Sequence, residues 1–292
     1  MKGPESAFQK ERSMLLGLAY RILGSRADAE DAVQDTYLKW TAANHDKIEN
    51  PTAWLVSTCT RRSIDLLRAA HRSRVDYYGE WLPEPVPTNF AQEPFDRLEL
   101  ISSLETAFLL MLERLTPKER AAYLLHDIFE LSYAEIATTL EIEEPACRKL
   151  VSRARSNISQ NSVRTSTPRQ KQLELLEAFH QAIQGNSPEP LTHLLSEDIR
   201  LTADGGGKVS SARRTVTGKT KVLRFIDKVI CRFWPDFEWS VADLNGGLGA
   251  ILRSEGKIVA SLTFGFDENG VANHVFIVRN PDKLEALNAL TD

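Results

Sequence analysis

Ser132–Ser159 reads SYAEIATTLEIEEPACRKLVSRARSNIS, two helical periods with a break between them. Ser132 is a good N-cap and Glu135 follows at the capping-box spacing, so a helix opens there. Ile136, Ala137 and Leu140 recur at helical spacing until Glu141–Glu144 interrupts them. Pro145 is tolerated only in the first turn of a helix, which sets the second start near Glu143–Glu144. Cys147, Leu150, Val151 and Ala154 then form one apolar stripe. Arg148, Ser152 and Arg155 fall on another face, with Lys149 and Arg153 beside them. One face packs and the other is cationic and hydroxylated, as a helix in a DNA major groove must be. A basic helix standing alone is usually a solvated face. Two features favour DNA here. No Asp or Glu occurs from Pro145 through Leu173, where Arg148, Lys149, Arg153, Arg155, Arg164, Arg169 and Lys171 all fall. Thr116 (N-cap), Pro117 (N1) and Glu119 (N3) open a preceding helix able to support the pair. The segment predicts a helix-turn-helix.

The whole chain sets bounds on that reading. Its 292 residues suffice for two or more domains, and 42% apolar with 26% charged residues is ordinary for a soluble protein. A net charge of −4 excludes indiscriminate coating of nucleic acid, so DNA contacts must come from local basic patches on an acidic background. Cys59, Cys147 and Cys231 are far apart and odd in number, which suits neither a metal site nor a disulfide framework. No signal-peptide core or membrane-length apolar run is present, and a cytoplasmic protein is expected.

Phe8–Trp40 is periodic throughout: Leu15, Leu16, Leu18, Ala19 and Ile22 mark a buried face and Gly24-Ser25 breaks it. From Asp28 a second helix packs Ala29, Val33 and Tyr37 and presents Glu30, Asp31, Gln34 and Asp35. Asn50-Pro51 caps a third, where Trp54, Leu55, Ile64, Leu66 and Leu67 alternate with Arg61, Arg62, Asp65 and Arg68, and basic residues continue through Arg72 and Arg74. Periodicity alone makes these the acidic and basic solvated faces of a helical bundle.

YRILGSRADAEDAVQDTYLKW followed by NPTAWLVSTCTRRSIDLLR resembles region 2 of bacterial sigma-70-type factors of the compact extracytoplasmic-function (ECF) group. LTPKERAAYLLHDIFELSYAEIATTLEIEEPACRKLVSRAR is similar to their region 4. The two cover about half the chain, in the family's order. The resemblance implies that Asp31, Gln34 and Asp35 dock the polymerase clamp helices, where opposite charge fixes register and speeds encounter. It implies that Asn50–Arg74 melts and holds the −10 element, with Arg61, Arg62 and Arg68 on the strand and a flipped base read near His45–Asn50. Trp54, amid Leu55 and Val56, reads as core. Arg148, Lys149, Ser152, Arg153 and Arg155 would read the −35 duplex.

Asp76–Pro94 holds four prolines, which forbid a continuous helix, yet carries Trp81, Leu82 and Phe90 where a plain spacer would be polar. Trp81-Leu82-Pro83-Glu84-Pro85 is compatible both with an anchored tether and with a loop lying over its own domain. After Pro168 the pattern changes again. Gln170–Ile183 predicts a helix, Asp198–Ala203 a strand, and Lys219–Val229 a helix. Alternating runs follow at Phe237–Leu244, Gly249–Arg253, Ile258–Phe266 and Val271–Val278, parted by glycine turns that signal hairpins. A short last helix runs through Leu287 and Leu290. Helices first and a curved antiparallel sheet afterwards make an α+β cone, similar to the SnoaL-like branch of the NTF2 superfamily. That fold also houses isomerases and cyclases, which need a base and an enolate-stabilising donor. Asp204, Asp243 and His274 are candidate bases, but no tyrosine follows Tyr133, and catalysis is not expected.

Trp81–Pro85, Asp204-Gly205-Gly206-Gly207-Lys208 and Asn280-Pro281-Asp282-Lys283-Leu284 resemble three motifs of the ECF group with a fused SnoaL-like domain. The glycines suit close backbone approach or positive φ, and a docking surface is preferred over an anion nest. A pairing of Glu84 with the glycine loop and Lys208 across the tether is expected. The multi-domain fold class is therefore two all-α modules plus an α+β cone: region 2 at 1–75, a Pro-rich linker at 76–95, region 4 at 96–164, and a SnoaL-like regulatory domain at 165–292. The expected function is that of a polymerase sigma factor modulated in cis by its last domain, with core RNA polymerase and promoter DNA as partners. No membrane, cofactor, metal or separate anti-sigma factor is needed, and there is room for a small ligand in the last domain. The alternative is a small-molecule sensor or isomerase/cyclase-like enzyme fused to a DNA-binding helical module.

Overall fold

The computed structural model describes residues 4–74, 76–91, 98–159, 167–185 and 187–288. The side chains of Arg72 and Arg74, the linker residues 92–94, the cation Arg164 and the terminal Leu290 lie outside the described set. Among the described residues, eight α-helices run through the first part: α1 (Pro4–Leu23), α2 (Arg26–Thr41), α3 (Pro51–Arg74), α4 (Leu98–Ser102), α5 (Thr106–Leu112), α6 (Pro117–Tyr123), α7 (Tyr133–Leu140) and α8 (Glu144–Ser159). After them come α9 (Arg169–Gln184), β1 (Leu195–Asp204), β2 (Val216–Thr217), α10 (Lys219–Phe225), α11 (Cys231–Phe233), β3 (Glu238–Leu244), β4 (Gly247–Ser254), β5 (Lys257–Phe266), β6 (Ala272–Val278) and α12 (Pro281–Asn288). No described helix is long and apolar enough to cross a membrane.

The chain forms two compact units. One comprises Met1–Val75, Asn89–Ser103 and Met111–Asn161; the other comprises Asp76–Thr88, Leu104–Leu110 and Ser162–Asp292. In the helical unit, Gly24 ends α1 at φ 68° and the Ser25 side chain accepts from Asp28 N–H at 3.2 Å, starting α2. This is the expected break, with its cause: a left-handed residue followed by an N-cap. Leu15, Leu18, Ala19, Ile22, Ala29 and Leu55 are all fully buried where these helices meet.

In the second unit the sheet order is β2-β1-β6-β5-β4-β3. The period of two sorts its side chains. Val275 and Ile277 of β6 face α9 and α10, in a core that also holds Phe179 and Ile230. Phe276 and Val278 face the other way, onto Leu82, Leu284 and Leu287. The α+β architecture matches the cone expected from the sequence, with one correction: the sheet is mixed. β1 pairs with β6 in parallel, because a long excursion (residues 205–271) brings the chain back beside β1 in the same direction. Register shifts at Leu252/Arg253 and Gly265/Phe266 are the irregularities that bend such sheets. The expected helix from Lys219 widens at Ile226–Ile230 into an i to i+5 turn before α11.

Burial pushes the Glu105 carboxyl from its ordinary 4.5 up to about 7. Between those values the folded chain holds a proton that the unfolded chain has released. This group's contribution to stability is therefore full below about pH 4.5 and is lost as pH rises to about 7. Glu105→Gln is expected to remove that slope. Urea unfolding at about pH 5 and about pH 8 checks it: the variant should gain on the wild type at the higher pH.

Candidate nucleic-acid interface

α7 and α8 form the expected helix-turn-helix. Ser132 and Glu135 make both halves of a capping box, and Thr116 with Glu119 does the same for α6. Glu141 adopts φ 52° after α7, the left-handed residue that lets the chain reverse. Cys147, Val151, Ala154 and Ile158 are buried, while Arg148, Lys149, Ser152, Arg153 and Arg155 are exposed. The cations differ among themselves. Arg148 is bonded to Glu144 and lies 4.5 Å from the Tyr133 ring centroid. Arg155 grips Asp127 through two of its nitrogens. Lys149 and Arg153 take part in no ion pair among the described residues.

On α2, Asp31 and Gln34 are exposed, and Asp35 is half-buried against Arg62 at 2.6 Å. A proposed polymerase-docking acid and a proposed −10 cation thus partner each other. Arg68 pairs with Asp65 at 3.3 Å, one helical turn away. Asn50 caps α3, its side chain accepting from Ala53 N–H at 3.1 Å. An open hollow of about 630 Å³ is lined by Asn50 with Lys47, Ile48, Trp54, Arg61 and Thr138, the place where a flipped base was expected. Trp54 is half-buried, 5.3 Å from Trp40, so it serves the core and still borders that hollow.

Arg61 has a second role. Its guanidinium donates to the carbonyls of Thr139 (2.8 Å) and Thr138 (3.2 Å) and pairs with Glu141 at 2.6 Å. Those carbonyls end α7, where intrahelical donors run out and the macrodipole is negative. Arg120 does the same at the end of α1: with 1% exposure, it donates to Ile22 O (2.8 Å), Leu112 O (3.0 Å) and Glu113 (2.9 Å). Fully buried Arg21 donates to Ser103 Oγ (2.7 Å) and Leu100 O (2.8 Å). Sequence reading missed Arg21 and Arg120. Their only signal was a charge inside an apolar period.

In the other unit, residues 76–88 are anchored at two points. Asp204 is 0% exposed, and its carboxylate accepts from Tyr77 Oη (2.6 Å), Gly206 N (3.0 Å), Leu82 N (2.9 Å) and Lys283 Nζ (2.7 Å). Its main-chain oxygen takes Arg279 N at 2.7 Å and Asn280 N at 3.0 Å. The Asn280 side chain donates to Tyr77 Oη at 3.0 Å, and Lys283 reaches Leu82 O and lies 4.4 Å from the Trp81 ring centroid. Burial and the adjacent carboxylate both push the Tyr77 hydroxyl pKa upward, keeping it a donor. At the second point Asn245 N donates to Val86 O (2.9 Å) and Thr88 N to Asp243 O (3.0 Å), extending the β3–β4 hairpin. Leu82, Pro83, Glu84, Pro85 and Val86 are buried, and Trp81 is half-buried. Of the two readings left open for this segment, it is a tether anchored outside the region 2 bundle.

The glycines serve close approach. A Cβ on Gly206 (φ 60°) would sit 2.4 Å from the Asn280 side chain, and one on Gly205 would sit 2.5 Å from Val209 O. The expected pairing of Glu84 with Lys208 is corrected: Lys208 pairs with Asp282 at 2.6 Å, and Lys283 is the lysine that reaches the tether. Asp282 sits in the first turn of α12, where its carboxylate accepts from Lys208 Nζ through both oxygens. The three candidate bases are otherwise engaged. Asp204 holds the tether, Asp243 is bonded to Arg169 at 2.6 Å, and His274 donates to or accepts from Thr202 at 2.8 Å. Burial drives the His274 pKa down to about 4.

A helix-turn-helix beside a bundle with one acidic and one basic helix face defines a DNA-reading transcription-initiation module. The comparisons agree: the Sigma-70 region 2 family matches residues 7–73 and the Sigma-70, region 4 family matches residues 105–164. The chain is 36% identical over 249 residues to ECF RNA polymerase sigma factor SigJ of Mycobacterium tuberculosis, covering 84% of this chain and 80% of that one. It is 28% identical over 287 residues to Probable ECF RNA polymerase sigma factor SigI of the same species, covering 97% and 96%. The crystal structure of M. tuberculosis SigJ superposes with a TM-score of 0.74 at 32% identity, covering 96% of this chain and 98% of that one. The chain belongs to the ECF family of RNA polymerase sigma factors, proteins that bind RNA polymerase and promoter DNA and are not enzymes.

Lys283→Met should leave the buried Asp204 carboxylate short of its countercharge and lower unfolding free energy by roughly 3–5 kcal/mol in urea titration. Arg61→Ala should cost about 1 kcal/mol, since Arg61, Thr138 and Glu141 are exposed and water can replace most of the lost contacts.

Proposed function

We propose that the C-terminal domain of this sigma factor, residues 165–292, modulates in cis how its two DNA-reading modules engage a promoter. The observation behind this reading is the tether. Residues 76–95 link region 2 (1–75) to region 4 (96–164), and the 76–88 part is held by Asp204, Lys283 and Asn245 of the last domain. A sigma factor gains affinity when −10 and −35 contacts form together, and that gain depends on the length and stiffness of what joins the readers. Holding the linker changes its effective length and so the promoter spacing that is read best. Trp81–Pro85, Asp204–Lys208 and Asn280–Leu284 are the regulatory contacts in this scheme. A covalently attached regulator needs no separate anti-sigma factor, and the protein works in the cytoplasm, where its polymerase is.

Asp31, Gln34 and Asp35 dock core polymerase through charge complementarity, which sets register and encounter rate. Asn50, Arg61, Arg62 and Arg68 hold the opened −10 strand, with the hollow beside Asn50 and Trp54 taking an extruded base. Arg148, Lys149, Ser152, Arg153 and Arg155 read the −35 duplex in the major groove.

Transcription in vitro with purified core enzyme tests the assignment. Initiation from a cognate promoter is expected, and initiation without sequence preference would sink it. Asp204→Ala should shift the preferred −10 to −35 spacing, whereas an unchanged spacing profile removes the cis role. Arg153→Ala should weaken −35 binding by ~1–3 kcal/mol if that side chain is bidentate to guanine. Equal loss on scrambled −35 sequences would mean phosphate contact alone.

A further inference from the structure

A cavity of about 560 Å³ opens in the C-terminal unit between α10–α11 and the end of β6. That volume falls in the range of small-molecule sites, about 300–1,000 Å³. Phe225, Phe233, Trp234, Phe237 and Ile277 give it apolar and largely aromatic walls. Arg279 is the one charged residue in its lining, and no Asp or Glu of the described residues lines it.

Arg279 is held in place. Its Nη1 donates to Ser210 O at 2.8 Å, and its guanidinium carbon lies 6.0 Å from the Trp234 ring centroid. Its Nε is buried and has no hydrogen-bond partner among the described residues. An unmatched donor away from water costs free energy, and on a cation it costs more. Burial also pulls the Arg279 pKa downward, the sign of a charge without full compensation. The nearby carboxylates are committed elsewhere: Asp204 holds the tether and Lys283, and Asp282 holds Lys208. Asp204, Asp243 and His274, the residues that enzymatic chemistry would have called on, are absent from the lining.

We propose that this cavity is a binding site for an amphipathic aromatic monocarboxylate, its ring system against Phe225, Phe233, Trp234 and Phe237 and its carboxylate accepting from Arg279 Nε. One guanidinium in an otherwise uncharged lining matches a single negative charge. A phosphate dianion would arrive with a charge that no second cation here meets. A guanidinium fork also suits the planar, two-oxygen geometry of a carboxylate. The site carries no general base, so the ligand is bound and not transformed. It stands apart from the cis-regulatory reading, and its test does not depend on transcription.

The experiment is calorimetric titration of the full chain with an anthracene monocarboxylate and, separately, with its primary amide, which keeps the ring and loses the charge. The acid should bind saturably and about tenfold or more tighter than the amide. Arg279→Gln should lower acid affinity by about tenfold or more and amide affinity by much less, bringing the two together. Phe233→Asp sets a like charge at the 61% exposed rim without entering the core; it removes one ring contact from both ligands and should weaken the acid several-fold more than the amide. Circular dichroism confirms that each variant is folded. Should Arg279→Gln not fold, the rim variant decides. The proposal is overturned by equal binding of acid and amide, by no saturable binding of either to the folded wild type, or by wild-type acid affinity in the folded variants.

Discussion

The buried carboxylate of Asp204 is the constraint on which the second unit depends. An ionised carboxylate out of water must have its oxygens filled, and here a phenol, two main-chain N–H groups and an ammonium fill them. Those donors come from three places far apart in sequence: the tether, the glycine loop and α12. The tether and α12 are also packed through Leu82, Leu284 and Leu287, whereas the glycine loop has no apolar side chain to pack. The shared carboxylate ties all three together, so loss of one donor is felt by the others.

In the helical unit the corresponding agents are arginines. Arg120 and Arg61 each meet the carbonyl end of a helix, supplying donors where the helix has run out of them. The planar guanidinium can serve two or three carbonyls at once, which an ammonium does less well. This has a functional consequence for Arg61, which is also a candidate for the −10 strand. To reach DNA it must exchange Thr138 and Thr139 carbonyls for phosphate oxygens. The proposed DNA contacts of Arg155 and Arg62 would require the same exchange, with Asp127 and Asp35. On a chain of net charge −4, such internal pairing leaves Lys149 and Arg153 as the α8 cations outside ion pairs among the described residues. Productive binding then favours a strong polyanion presented in register over stray contact with any duplex.

Local signals were legible in the sequence because they act over a few residues. The capping boxes at Ser132 and Thr116, the stop at Gly24-Ser25 and the apolar stripe of α8 are all decided by neighbours within one or two helical turns. The hairpins of the last domain follow from alternation and turn residues. The candidate DNA-facing side chains were likewise visible as the polar remainder of an amphipathic period.

The linker prolines and apolar residues announced that something would be buried without saying against what. Which lysine meets the tether, Lys283 and not Lys208, depends on where α12 begins relative to the glycine loop. The parallel pairing of β1 with β6 and the aromatic cavity around Arg279 were equally invisible to periodicity. The sequence by itself determined the elements and their amphipathic faces, because helix caps, turns and periods are short-range energetics. Only the tertiary structure decided which charges are partnered and which are left for a ligand or DNA, because desolvation and ion pairing are set by groups that meet from distant parts of the chain.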